Sequence, residues 1–176
     1  AVVEKFLDRL GLSDKQKSEA AGADREDYPI VFLGFHRGAN AVLEKLAQSS
    51  PDLLKKILVV DFNLEVLNDL RSKNIQGVFG DISSMDTLRH AHVEEARMIL
   101  CTIPDMLLKG TNNAEIVKTC RALAHSAMII ATADSVSQID TLKSAGANEV
   151  ILPYSLIGDK VSRLVIDAFE SRENRG

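Results

Sequence analysis

Residues 30–39 read Ile30-Val-Phe-Leu-Gly-Phe-His-Arg-Gly-Ala39, an apolar run that passes directly into a turn. The turn is close to the pattern Gly-x-Gly-x-x-Gly/Ala, which joins a strand to a helix in dinucleotide-binding folds. Gly34 occupies the first position and Ala39 is an accepted small residue at the third, but His36 stands where the pattern has its second glycine. The stretch predicts a strand, a tight turn and a helix, and a plain strand–turn–helix without a ligand is the alternative.

Five further apolar runs follow at intervals of about 19 to 30 residues, the length of a strand–helix crossover. Four of the six runs are rich in Val and Ile without polar alternation, as in strands buried on both faces. Helical periodicity separates them, which predicts an α/β fold with a Rossmann-like doubly wound six-stranded parallel sheet in the order 3-2-1-4-5-6. The runs are Ile30–Leu33, Ile57–Val60, Gly77–Phe79, Met98–Cys101, Met128–Ala131 and Val150–Leu152.

The beginning of the chain differs from the rest. Apolar residues recur at helical spacing over residues 3–10, and residues 13–29 are almost entirely polar, charged or small. We therefore expect an N-terminal helix and polar linker at 1–28, a domain at 29–170 and a tail at 171–176. Because the 176 residues begin without Met, we expect a fragment of a longer polypeptide.

Composition excludes several classes of protein. The net charge of −4 and the scattered Lys and Arg argue against nucleic-acid binding, which needs clustered cations. No run of 18 apolar residues is present, so the sequence predicts a soluble chain. Cys101 and Cys120 are predicted to be buried, reduced thiols, as in cytosolic proteins. His90 and His92 do not share a helix face, and no metal site is expected.

Catalytic motifs are absent from the sequence. It contains no Gly-x-Ser-x-Gly, Cys-x-x-Cys or His-Glu-x-x-His motif, no P-loop lysine and no Tyr-x-x-x-Lys pair. No catalytic residue is predicted, and the chain is not expected to be an enzyme.

Candidate binding residues cluster where the predicted strands end, because ligands of doubly wound sheets bind there, between the first and fourth strands. Arg37 begins the first helix, where a cation and free N–H groups attract phosphate. His36 either donates to a phosphate or fills a shortened site. Asp61 lies 27 residues after Gly34, near the distance at which a carboxylate binds ribose hydroxyls; alternatively it caps the next helix. Asp81, placed to reach an adenine or to cap a helix, ends the third strand.

With these residues the chain resembles the RCK domain (regulator of K⁺ conductance, also called KTN or TrkA-N). The resemblance spans about residues 29–168 and includes Leu88–Ala96, Asn112-Asn113, Met128–Asp134 and Ala145–Pro153. The runs Leu33-Gly-Phe-His-Arg-Gly38 and Val60-Asp-Phe-Asn63 resemble the branch fused to Kef-like monovalent cation:proton antiporters of the CPA2 family.

The resemblance implies a cytosolic domain that senses AMP, ATP or NAD(H), dimerises, and controls K⁺ or Na⁺/proton transport by an attached membrane transporter, at the cytoplasmic face of the cell membrane. Residues 1–27 would then link the domain to the last membrane helix. An RCK domain of a K⁺ channel is the alternative setting. The implied ligand contacts are Gly34, His36, Arg37, Gly38, Asp61, Phe62, Asp81, Ile82 and Thr102. The departure at His36 makes a mononucleotide such as AMP plausible beside a full dinucleotide.

The last predicted helix, from Leu156 to Phe169, is apolar over more than one stripe. We expect one face to pack on its own sheet and the other on a second copy, giving a homodimer; complete burial within one domain is the alternative. Three functions follow from the sequence: a nucleotide-sensing regulator of transport, an unliganded dimerisation module in which His36 closes the site, and an NAD-dependent oxidoreductase.

Overall fold

The computed structural model describes residues 28–173 and contains one parallel sheet. Its strand order, β3-β2-β1-β4-β5-β6, confirms the predicted Rossmann-like order. The predicted N-terminal helix lies outside the described residues. The strands are β1 (Ile30–Leu33), β2 (Ile57–Asp61), β3 (Gln76–Phe79), β4 (Met98–Cys101), β5 (Met128–Thr132) and β6 (Glu149–Ile151).

A helix follows each strand, and the first five helices return the chain to the start of the next strand. The helices are α1 (Arg37–Ser49), α2 (Leu64–Ser72), α3 (Met85–His90), α4 (Asn113–Leu123), α5 (Ile139–Ala145) and α6 (Pro153–Glu173). The side chains of Asn63, Ser84 and Asn112 accept hydrogen bonds from backbone N–H groups at the starts of α2, α3 and α4. These caps satisfy N–H groups that a helix leaves without an internal partner.

The core forms on both faces of the four central strands. One cluster contains Val31, Val60 and Ile99, and the other contains Phe32 and Val59 from the opposite faces of β1 and β2. Successive residues of a strand point to opposite faces, so an unbroken apolar run serves both clusters. The predicted strand positions hold to within one residue. The edge strands β3 and β6 begin at polar residues, which the apolar runs did not include.

Helix α6 corrects the sequence-based expectation. Its apolar side chains are all half exposed or more, and none belongs to either core cluster. We expected α6 to pack one face on its own sheet, or else to be fully buried in the domain. Both expectations are wrong. The two core clusters draw on α1 to α5 and the strands, and α6 lies outside both. The exposed residues are Tyr154, Leu156, Ile157, Val161, Leu164, Val165, Ile166 and Phe169.

The two thiols are buried as predicted, Cys101 at the end of β4 and Cys120 in α4. A hydrogen bond with Cys120 and burial in the core raise the pKa of the Cys101 thiol well above its ordinary value. The Cys101 thiol is therefore protonated and unreactive near neutral pH. Within residues 28–173, no helix is both long and apolar enough to cross a bilayer, and no cluster of His, Cys, Asp or Glu could hold a metal ion.

Candidate functional site

The turn after β1 requires a glycine at position 34. Gly34 has a φ of +76°, a conformation that side chains rarely adopt, and a Cβ there would overlap the side chain of Ile103. Its N–H donates to the carbonyl of Val60 at 2.8 Å, which anchors the turn to β2. The first glycine of the pattern therefore brings the β1 and β4 ends into close contact.

His36 stands in extended backbone, with φ −130° and ψ −168°, directly before α1. Any residue adopts this conformation, so the turn does not need a glycine here. The half-buried imidazole makes no capping hydrogen bond to α1. The first-turn N–H groups of α1 therefore remain available to an anion, as at other helix N-termini.

Asp61 is the polar centre of the site. It is 5% exposed, and its Oδ2 accepts the N–H of Phe35 at 2.7 Å while its Oδ1 accepts the N–H of Asn63 at 2.7 Å. The carboxylate thus joins the turn after β1 to the end of β2. Asn63, and not Asp61, caps α2. Each oxygen keeps acceptor capacity beyond its backbone bond, because an ionised carboxylate has about four acceptor positions.

Asp81 and Ile82 occupy the end of β3. The exposed Asp81 Oδ1 accepts the N–H and the hydroxyl of Ser83 at 2.8 and 2.7 Å, and the cap of α3 is Ser84. Ile82 is buried in the core, 7% exposed. The end of β3 therefore presents a carboxylate beside an apolar surface.

Gly38 and Thr102 lie against each other, where the first turn of α1 meets the end of β4. A Cβ on Gly38 would stand 3.2 Å from Thr102 Cβ and 3.4 Å from its hydroxyl oxygen. The Thr102 hydroxyl is buried and has no hydrogen-bond partner within the described part of the chain. An orphaned buried hydroxyl costs about 1–3 kcal/mol, so a partner supplied from outside the chain would be stabilising.

A cavity of about 630 Å³ opens between these elements, within the usual range for small-molecule sites. His36 lies on its wall without closing it. Six of the nine predicted residues line the cavity: Gly34, His36, Asp61, Phe62, Asp81 and Ile82. Arg37, Gly38 and Thr102 do not line it. Arg37 and Gly38 are exposed in the first turn of α1, and Thr102 is buried against Gly38.

Several lining residues were not predicted. Phe35 and Asn63 come from the loops after β1 and β2, and Val66 comes from α2. A longer group comes from the segment between β4 and α4: Ile103, Leu107, Leu108, Lys109 and Thr111. This segment has no helical or strand periodicity, so nothing in the sequence indicated where its side chains would lie. Its position after the fourth strand was the one available signal.

The model of the TrkA-N domain family matches residues 30–153 of this chain. The matched range begins with β1 and extends through β6 to the first residue of α6. It therefore includes the whole sheet and every residue that lines the cavity.

Two curated proteins are similar in sequence. The putative cation/proton antiporter YbaL of Escherichia coli (strain K12) is 26% identical over 158 residues, 86% of this chain and 27% of YbaL. Probable potassium channel protein 2 of Methanocaldococcus jannaschii is 26% identical over 139 residues, 77% of this chain and 38% of that protein. The chain thus spans less than two fifths of either relative.

Solved structures share the fold. The TrkA-N domain of E. coli YbaL superimposes with a TM-score of 0.68 at 24% identity, over 80% of this chain and 98% of that domain. The GsuK channel bound to NAD gives 0.61 at 22% identity, over 86% of this chain and 27% of that chain. GsuK bound to ADP gives a TM-score of 0.60 at 24% identity, over 74% of this chain and 32% of that chain.

Proposed function

Because the chain belongs to the TrkA-N domain family, we propose that it is a regulatory domain that binds an adenine nucleotide and controls monovalent cation transport. The transport would be carried out by an attached membrane protein, with this domain at the cytoplasmic face. Similarity to a putative cation/proton antiporter favours the antiporter setting, and a potassium channel is the alternative. No catalytic role is proposed, since the relatives that carry this domain are transporters and channels.

One observation carries the nucleotide proposal: the buried Asp61 carboxylate lines a 630 Å³ cavity beside the uncapped start of α1. An adenosine phosphate needs an acceptor for its ribose hydroxyls and a donor-rich, positive position for its phosphate. The Asp61 carboxylate and His36, the residue directly before α1, both lie on one cavity here, and the apolar walls suit an adenine. The NAD and ADP complexes of GsuK, a channel with the same fold, support this choice of ligand.

Each predicted residue takes a role in this proposal. The ribose hydroxyls bind Asp61, and the phosphate lies at Gly34 and the first turn of α1. Arg37 adds a cation at that turn, and Gly38 lets the backbone approach the ligand. Thr102 lies outside the cavity and supports that turn by packing against Gly38.

The remaining residues would contact the base. Phe62 is 70% exposed at the cavity, a position from which an aromatic ring can stack on a purine. Ile82 adds an apolar wall and Asp81 an acceptor for the amino group. The imidazole of His36, which leaves the cavity open, is a further phosphate donor. The open cavity argues against a purely structural module closed by this residue.

Regulation is proposed to act through a homodimer formed by α6. The exposed apolar side chains of this helix make a surface of the kind that mediates protein contacts. A symmetric pair is the commonest closed assembly. Nucleotide binding would shift the balance between two arrangements of the pair, provided that the ligand binds one arrangement more tightly.

Calorimetric titration of the chain with AMP, ATP, NAD⁺ and NADH tests the binding proposal. At 100 times the dissociation constant, a bound nucleotide should stabilise the fold by about 2.7 kcal/mol, which thermal unfolding would register independently. Heat of binding and a raised melting temperature are expected with at least one of the four. Neither signal with any of them would contradict the proposal.

Sedimentation of two double variants tests the dimer. Leu164→Ala with Val165→Ala should shift the chain towards monomer, because both apolar side chains are about half exposed on α6. The control, Lys160→Ala with Arg163→Ala, truncates two exposed polar residues of the same helix and should leave the dimer intact. A monomeric parent chain at high micromolar concentration would contradict this part of the proposal.

Transport tests the regulatory role in the full-length protein. In vesicles that contain it, the nucleotide that binds the isolated domain should change the rate of cation flux. An Asp61→Ala variant should no longer respond, while its flux without nucleotide should persist. Equal responses of parent and variant would contradict regulation through this site.

A further inference from the structure

The segment between β4 and α4 closes one side of the cavity. Five of its residues line the wall, from Ile103 to Thr111, and the other lining residues come from the ends of β1, β2 and β3. The loop after β5 contributes no residue to this cavity. The space therefore lies over one half of the sheet, where a doubly wound fold binds the adenosine half of a dinucleotide.

Asp105 fastens this segment in place. Its Oδ1 accepts the backbone and side-chain N–H groups of Asn113 at α4, both at 2.8 Å, and its Oδ2 accepts from Gln138 at 3.0 Å. Its own N–H donates to Asp134 Oδ2 at 3.1 Å. These bonds tie the segment to α4 and to the loop after β5.

The segment between β4 and α4 lines two cavities. A separate cavity of about 300 Å³ lies beyond it and is lined by Asp105, Gln138 and Leu142 among others. Asn113, 3% exposed, also donates to the carbonyl of Ile103 at 2.7 Å, which holds the start of the segment against the sheet. The segment thus lies between the two cavities, held in place by these hydrogen bonds.

Lys109 gives the closed side of the cavity a positive charge. It is the one Lys or Arg among the lining residues that the structure describes, and it is exposed. Its ammonium pairs with no acid within residues 28–173. A flexible lysine with three donors suits a phosphate chain, which it binds as a point charge.

Resting on the proposed function, we infer that the site takes a single adenine nucleotide with two or more phosphates, in preference to AMP and to NAD⁺. Lys109 binds the phosphates beyond the first, while the first lies at the start of α1. The segment fastened by Asp105 excludes the second nucleoside of a dinucleotide.

Titrating AMP, ADP, ATP and NAD⁺ into the parent chain and four variants tests this. The parent should bind ADP and ATP more tightly than AMP or NAD⁺. Lys109→Met should weaken the binding of ADP and ATP about tenfold, because one charge-assisted hydrogen bond to the phosphates is lost. It should weaken the binding of AMP less than about twofold. Lys109→Arg should restore most of the affinity. The control variant Lys118→Met removes an exposed lysine of α4 that lies away from the cavity, and it should leave the affinity for every nucleotide unchanged.

Asp105→Ala tests the exclusion. Releasing the segment should raise the affinity for NAD⁺ relative to ADP, and continued ADP binding shows that the variant is folded. If the parent binds NAD⁺ as tightly as ADP, the preference inferred here is wrong while the proposed function still stands. The same holds if Lys109→Met loses as much affinity for AMP as for ADP. Failure of all four nucleotides to bind the parent would overturn the proposed function as well.

Discussion

Removing the Asp61 carboxylate should destabilise the ligand-free fold as well as weaken binding. Asp61→Ala deletes two hydrogen bonds of 2.7 Å and leaves the N–H groups of Phe35 and Asn63 without their acceptor. A hydrogen bond to a charged group contributes about 1.5–3 kcal/mol, so the two together predict a loss of roughly 3 kcal/mol or more. Loss of the ribose acceptor should cost a further 1–3 kcal/mol of binding free energy.

Urea denaturation measures the first effect and calorimetry the second. Asp61→Asn keeps one acceptor oxygen and should lose about half as much stability as Asp61→Ala, because one of the two amides retains a partner. Asp69→Ala, which truncates an exposed acid of α2, should change the free energy of unfolding by less than about 0.5 kcal/mol. A loss below about 1 kcal/mol in Asp61→Ala would refute the proposed anchoring of the turn. Unchanged affinity would remove Asp61 from the ligand site.

Four further variants test other features. Thr102→Val should leave the free energy of unfolding unchanged or higher, because the buried hydroxyl has no hydrogen-bond partner among the described residues; a clear loss of stability would contradict this. Gly34→Ala should lower the free energy of unfolding, measured by urea denaturation, by at least about 2 kcal/mol, because alanine is strained at positive φ and its Cβ would overlap Ile103. An unchanged transition midpoint would contradict this. Arg121→Ala should lower the free energy of unfolding by about 2–3 kcal/mol in the same assay, because the guanidinium donates to three backbone carbonyls within 3.2 Å. A loss under about 0.5 kcal/mol would show that these hydrogen bonds do not stabilise the fold. Above the ordinary thiol pKa of 9.0, unfolding exposes a thiol that ionises while folded Cys101 keeps its proton. Stability should therefore fall with rising pH by up to about 1.4 kcal/mol per unit, and Cys101→Ala should show a shallower fall; parallel curves would contradict this.

The sheet was predictable because its information is local and repeated. Unbroken apolar runs such as Ile57–Val60 show that both faces of a strand are covered. The helical stretches between them form right-handed crossovers, which restricts the order of the strands. The edge strands were placed less accurately, because Gln76 and Glu149 enter the hydrogen-bond ladder through their backbones alone.

Part of the candidate site was also predictable, since topology brings the strand ends to one rim. Gly34, Asp61 and Asp81 lie on one cavity although they are far apart in sequence. The double anchoring by Asp61 was not foreseen, because an acid at a strand end gives no sign of which amides it will accept. The segment that carries Lys109 was missed for a related reason: tertiary hydrogen bonds through Asp105 set its path.

The environment of α6 shows the limit of pattern reasoning. Its wide apolar surface indicated burial, and the pattern could not say whether the covering surface would come from the same chain. The structure shows Leu164 and Phe169 exposed, and the core of the domain is built from α1 to α5 and the strands without α6. No other part of residues 28–173 buries this helix.

A crystal structure of the chain grown with ADP tests the central claim most directly. The account predicts an adenosine phosphate in the 630 Å³ cavity, with its ribose hydroxyls on Asp61 and its first phosphate at the start of α1. A cavity filled by the imidazole of His36, or nucleotide density elsewhere on the surface, would contradict it.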